Sequence, residues 1–159
     1  MERVFRWIGI VVLAGIPEIA LAADPGIITV SSRYSVEETI ERFEGSILAN
    51  SDQGWMVFTR LDHAAAADKY GLKLLPRTVV VFGNPRLGTS NMVKAPTLGI
   101  DLPLKALVWQ DDQGKVWLSY NSAPYLTTYL YPRHGVEAAA GATDALARFL
   151  DAATGRATQ

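Results

Sequence analysis

The sequence predicts an α+β domain in two layers, a β-sheet with helices laid on one of its faces. Three stretches predict it. Thr78, Val79, Val80, Val81 and Phe82 form a run of mainly β-branched residues, bounded by Pro76 before it and Gly83-Asn84-Pro85 after it. That is the pattern of a strand buried on both faces, and it is expected at the centre of the sheet. Residues 105–110 and 115–120 flank Asp111-Asp112-Gln113-Gly114 and predict a β-hairpin. Val36, Ile40, Phe43 and Ile47 recur at helical spacing, with Glu37, Glu41 and Glu44 off that stripe, and predict a helix with one apolar face to bury.

The 159 residues carry a formal net charge of −1, are 49% hydrophobic and include no cysteine, which suits one soluble globular domain. Residues 1–23 are set apart from it as a signal peptide. Arg3 and Arg6 precede an apolar run from Trp7 to Ile16, and Ala20-Leu21-Ala22-Ala23 supplies small residues at signal-peptidase spacing. Roughly 20 apolar residues are needed to span a bilayer, so this shorter run predicts no stable membrane anchor after cleavage. The expected location is periplasmic or secreted. Removing Glu2, Arg3, Arg6 and Glu18 with the signal leaves the net charge unchanged, and the lack of a basic excess argues against a nucleic-acid partner. Without cysteine, neither disulfides nor thiolate chemistry contribute, and the core alone holds the fold. The domain is expected over residues 24–153, with polar residues 154–159 as a disordered tail.

Taken in order, residues 27–34 are rich in β-branched side chains and predict a first strand. Ser35, with Glu38 three residues on, caps the amphipathic helix that follows. After a polar break at 50–54, residues 55–61 predict a second strand, and the strand-helix-strand order leaves a parallel crossover open. Asp62 caps a short helix from His63 through the alanines to Tyr70, with Gly71 as its stop. Residues 84–103, rich in Gly, Pro, Asn and Thr, predict a long loop with one or two helical turns. Beyond the hairpin, residues 124–130 predict a short helix, and residues 143–150 a last one with Leu146, Phe149 and Leu150 on one face.

The hairpin carries the strongest register signal. Gly114 just before Lys115 suits a three-residue loop with glycine in the left-handed region, pairing Asp111 with Lys115 and setting Trp109 opposite Trp117. Leu107, Trp109 and Trp117 then share one face, while Ala106, Val108, Leu118 and Tyr120 share the other. Helices in a two-layer fold cover one face only, so the second needs a loop, the C-terminal segment or a second subunit. A two-fold homodimer through the hairpin face is the expectation.

Several separated motifs carry a resemblance. Phe82-Gly83-Asn84-Pro85 with Gly88-Thr89 and Met92, then Asp101-Leu102-Pro103-Leu104, Val108-Trp109, Gly114-Lys115-Val116-Trp117 and Ser119-Tyr120-Asn121, are similar to the DUF302 family of uncharacterised bacterial proteins. Asp62-His63 and Arg133-His134-Gly135 match that pattern too, and the resemblance covers nearly all of residues 28–150. It implies a two-layer α+β fold with a mixed, mainly antiparallel sheet of about five strands, helices on one face, and homodimeric members. It implies no activity. The departure from the family pattern is Pro132, placed to break a helix that would otherwise carry His134.

The chemistry is sparse. His63 and His134 are the only histidines, far apart and without short ligand spacing, so no metal site is expected; the plain expectation is that His63 starts a helix and His134 satisfies a backbone group. No nucleophile elbow is present, and Gly83 to Gly88 lacks both the dinucleotide pattern and the Lys-Ser/Thr of a phosphate loop, so no cofactor is expected. Asp62, His63, Asn84, Asp101, Tyr120, Asn121 and His134 remain as candidate ligand-binding residues, and at least three of His63, Asn84, Asp101, Tyr120 and Asn121 should line one concavity. The preferred reading is a non-catalytic module that binds a small molecule or a partner. The alternatives are an enzyme using His63 or His134 as general base with a carboxylate orienting it, and an assembly domain whose apolar sheet face is its function.

Overall fold

The computed structural model describes residues 26–159, so the signal peptide expected at 1–23 lies outside the described residues. Strands β1 (Ile27–Ser32), β2 (Met56–Asp62), β3 (Arg77–Gly83), β4 (Leu104–Gln110) and β5 (Val116–Asn121) form one five-stranded sheet in the order β1-β5-β4-β3-β2. Every neighbouring pair is antiparallel. The sheet is therefore not mixed. Helix α1 (Val36–Leu48) carries the chain from one edge, β1, to the other, β2, so the two strands it joins never meet and no parallel pair arises. The middle strand is β4, and β3 lies between it and the β2 edge.

Ser35 caps α1 by accepting the Glu38 backbone N–H at 3.2 Å, and the stripe Ile40, Phe43 and Ile47 is buried as its spacing requires. Those side chains pack with Val80, Phe82, Ala106, Val108, Leu118 and Tyr120 from one sheet face and with Leu150, Ala153 and Ala157 of the last helix, α4 (Ala142–Thr158). Helix α2 (His63–Asp68) is capped by Asp62, whose carboxylate accepts the Ala65 N–H at 2.9 Å. The hairpin has the expected register: Trp109 stands opposite Trp117, and Gly114 takes the left-handed conformation at φ 81°.

Two further expectations are corrected. Within the loop expected at 84–103, residues Pro85–Lys94 form helix α3 and Pro96–Ile100 a 3₁₀ turn. Asn84 is the cause, its side-chain oxygen accepting the N–H groups of Arg86 and Leu87 while Pro85 occupies the first helical turn. At the other end, residues 154–158 are not a disordered tail; they complete α4, with Thr154, Ala157 and Thr158 buried. Thr154 and Thr158 donate their hydroxyls to the carbonyls of Leu150 and Thr154, and the Arg33 N–H donates to the Thr158 carbonyl. Small side chains let this last turn sit closely on the core.

Candidate functional site

The site forms at the sheet end where β5 finishes and β4 begins. Asp101 stands between the 3₁₀ turn Pro96–Ile100 and β4, and Tyr120 and Asn121 close β5; the Ala106–Tyr120 pairing brings these segments side by side. Asp101, Tyr120 and Asn121 line one concavity of about 160 Å³ together with Lys105. That is room for several water molecules or a small polar ligand. Phe82, Leu104 and Leu150 supply its apolar side.

Its remaining wall is a π-helix, Tyr125–Leu130, which contributes Tyr125, Leu126 and Leu130. The Tyr131 N–H donates to the Leu126 carbonyl, five residues back, at 2.9 Å. Such wide turns are rare and occur often at functional sites. Pro132 then opens the 3₁₀ turn Pro132–His134, so the histidine sits beyond the helix, as the departure at Pro132 implied.

The polar groups are held in defined ways. The Lys105 ammonium donates to the Asp101 carbonyl at 2.7 Å, and the Asn121 amide donates to the Gly26 carbonyl at 3.4 Å. The Tyr120 hydroxyl donates to Asp151 at 3.2 Å. Burial pushes the Tyr120 phenol above its ordinary range, and the neighbouring Asp151 carboxylate acts in the same direction. Burial alone does the same to Tyr131.

His134 does not satisfy a backbone group. Its Nε2–H donates to Asp101 Oδ2 at 2.5 Å, and the Thr97 hydroxyl lies 2.9 Å from Nδ1. The Arg133 Nε is 3.6 Å from the same carboxylate oxygen. Only 6% of the His134 side chain is exposed, and of this small network Asp101 alone lines the pocket.

The other candidates are placed elsewhere. Asn84 lines a second, larger cavity of about 920 Å³, bounded by Trp55, Phe58, Met92, Leu102 and Phe149 and sharing Leu104 with the first. The Asn84 side chain also ties α3 to the preceding turn, donating to the Gln53 carbonyl at 3.1 Å. Asp62 and His63 lie apart from both cavities. Asp62 pairs with Thr78 whereas Met56 pairs with Gly83, so His63 and Asn84 stand at opposite ends of the β2–β3 pair. A single site holding both is excluded by that register.

Among the described residues no three of His, Cys, Asp and Glu gather to hold a metal ion, and no helix is long and apolar enough to cross a membrane. Sequence reasoning missed Thr97 and Arg133 as members of the His134 network. The available signal was Pro132 and Gly135 bracketing Arg133-His134, which marks a tight turn that projects both side chains.

Comparison with known proteins adds context. The chain is 46% identical over 110 residues to proteins named fluoride-specific ion channel FluC 1 in Brucella suis biovar 1 and in Brucella abortus biovar 1. The match takes in 69% of this chain but only 42% and 40% of those proteins, so the chain spans well under two thirds of their length. A crystal structure of an uncharacterised conserved DUF302 protein from Bacillus stearothermophilus superposes with a TM-score of 0.65 at 21% identity, covering 82% of this chain and 97% of that one. The model of the family described as "Domain of unknown function DUF302" matches residues 28–153. That match runs from the first strand into the last helix and takes in the Asp101, Tyr120, Asn121 and His134 segments, and the chain accordingly belongs to the DUF302 family.

Proposed function

We propose that this protein is an exported module that binds a small polar molecule in the concavity between Asp101, Lys105, Tyr120 and Asn121. The observation that carries the reading is convergence: side chains from the β4 entry, β5 and a π-helix meet over one pocket that the sheet core does not fill. Export rests on the leader pattern of residues 1–23, with its apolar run and small-residue cleavage site. The module works as a two-fold homodimer, supported by Leu107, Trp109 and Trp117 being left half-buried on the sheet face away from α1 and α4.

The test is native mass spectrometry of protein purified from the periplasm. A stoichiometric small molecule is expected on the natural chain and absent from Asn121→Ala. If neither protein carries one, or both carry the same one equally, the pocket is not the binding site.

The match to fluoride-channel proteins favours a second reading, in which the domain serves a membrane ion channel from outside the bilayer. Cells lacking the chain should then lose growth in sodium fluoride at concentrations the parent tolerates. Unchanged tolerance rejects this reading and leaves the first untouched.

A further inference from the structure

Thr97, His134 and Asp101 are separated by up to 37 residues and meet through two hydrogen bonds that fix each other's direction. The Asp101 carboxylate can only accept, so the hydrogen on His134 lies on Nε2. A neutral imidazole then has its lone pair on Nδ1, and the Thr97 hydroxyl, 2.9 Å away, must be the donor there. The result is a hydroxyl whose proton already points at a base, with that base held in one tautomer by a carboxylate. Nucleophile-to-base and base-to-orienter contacts of this kind define activated serine and threonine hydroxyls irrespective of chain order.

Burial divides the three groups as such chemistry requires. The His134 side chain is 6% exposed and the Asp101 side chain 18%, whereas Thr97 is an exposed residue at the start of its 3₁₀ turn. The base is shielded while the residue that carries the hydroxyl is exposed. Arg133, half-exposed and 3.6 Å from the Asp101 carboxylate, brings a fixed positive charge to the same cluster.

We propose that Thr97 is a nucleophile for acyl transfer from small carboxylic esters, with His134 as its general base and Asp101 as the residue that positions His134. The Thr97 Oγ1 attacks the ester carbonyl carbon, forming a C–O bond while its proton passes to His134 Nδ1. The tetrahedral adduct collapses by breaking the bond to the leaving oxygen, which takes that proton. Water, deprotonated by the same nitrogen, then attacks the acyl-threonine, releases the carboxylic acid and returns the hydroxyl to Thr97. No oxidant, metal or cofactor enters the balance. This activity does not require a ligand in the Asp101, Tyr120 and Asn121 pocket.

The experiment uses the purified full chain and p-nitrophenyl acetate, read by release of p-nitrophenolate and by intact-mass and peptide mapping of the acetylated protein. The expected result is an acetyl adduct on the peptide containing Thr97. Thr97→Val, which keeps the shape and loses the hydroxyl, should abolish it, and Thr97→Ser should restore labelling to within about tenfold. His134→Gln should slow acylation by about 100-fold or more, the usual loss for a general base. Should His134→Gln fail to fold, the valine and serine variants still decide the matter. An adduct on Lys105 or a tyrosine, an unchanged rate in Thr97→Val, or no release above that of free imidazole at equal concentration would overturn the proposal.

Discussion

The two faces of the sheet are written with similar residues and finish in different states. On the face beneath α1 and α4, Val80, Phe82, Ala106, Val108 and Leu118 have no exposed surface, and Phe43 stands edge-on to Phe82 with ring centroids 5.2 Å apart. On the other face Val79, Leu107, Trp109 and Trp117 alternate with them along the same strands and are only half-buried. The difference lies in how polar ends are handled. Trp109 and Trp117 stack at 6.0 Å, and each keeps its indole N–H engaged, one with the Ser119 hydroxyl and the other with Asp111. The covered face instead relies mainly on aliphatic side chains and Phe82, and its one phenol, Tyr120, sends its hydroxyl to Asp151 at the edge. A face built of aromatic groups with polar handles tolerates both water and a partner; a face of bare hydrocarbon must be covered, here by α1 and α4.

The largest effect should come from the covered face. Phe82→Ala removes a ring packed against Phe43 and Trp55 and should cost about 3–5 kcal/mol in a urea titration. Val79→Ala, three residues earlier on the other face of the same strand, should cost about 1 kcal/mol or less. Equal losses would mean that something covers the second face as fully as the helices cover the first.

Trp117→Lys places a charge on the half-buried face, where no helix stripe depends on it. Sedimentation at micromolar concentration should change from dimer to monomer, with the far-ultraviolet circular dichroism unchanged. A natural chain that sediments as a monomer, or a variant that remains dimeric, removes this face from any role in self-association.

How much of this was legible in the sequence varies with the range of the interaction. The hairpin register was readable in part: Gly114 just before Lys115 favoured the three-residue loop over two- or four-residue ones, and Trp109 does meet Trp117. The caps at Ser35 and Asp62 were readable for the same local reason. Helix α3 was underread because Gly88, Thr89, Ser90 and Asn91 have poor helix propensity, and the start signal, Asn84 with Pro85, doubles as turn chemistry. The end of α4 was underread because Ala153, Thr154, Ala157 and Thr158 form a buried stripe without large apolar groups. The Asp101 to His134 bond spans 33 residues and depends on the π-helix and Pro132, so no local pattern announces it. Asp62 beside His63 looked equally suggestive in the chain, yet Asp62 spends its carboxylate on a helix cap.

A pH titration sharpens the contrast at the edge of the covered face. Burial raises the Tyr120 pKa, so the folded chain keeps this proton at a pH where the unfolded chain has lost it. The stabilisation is therefore complete below about pH 10, the ordinary tyrosine value, and is lost as pH rises from there through the folded-state value. Urea midpoints measured across that alkaline range should fall less steeply for Tyr120→Phe than for the natural chain. Identical slopes would mean that the phenol is hydrated rather than buried.

The smallest effect belongs to the rim, where the covered face meets water. Arg60 pairs with Val80 across β2 and β3, which puts its side chain on the helix side of the edge strand. There its guanidinium grips Glu44 with two bonds of 2.6 and 2.7 Å and reaches Glu37 at 2.6 Å, tying the polar flank of α1 to the sheet. The hydrogen bond to Glu44, ahead of that to Glu37, holds the guanidinium even more firmly protonated than usual. Geometry of this quality invites a large energy, but the Arg60 side chain is 36% exposed and the Glu37 side chain 64%, so water and salt screen the attraction. Arg60→Met, which retains an apolar stem over the edge strand, should cost only about 0.5–1 kcal/mol at low ionic strength and less at high salt. A loss of several kcal/mol that is insensitive to salt would show that the ion pair is shielded from solvent, and that the covered face extends to its very edge.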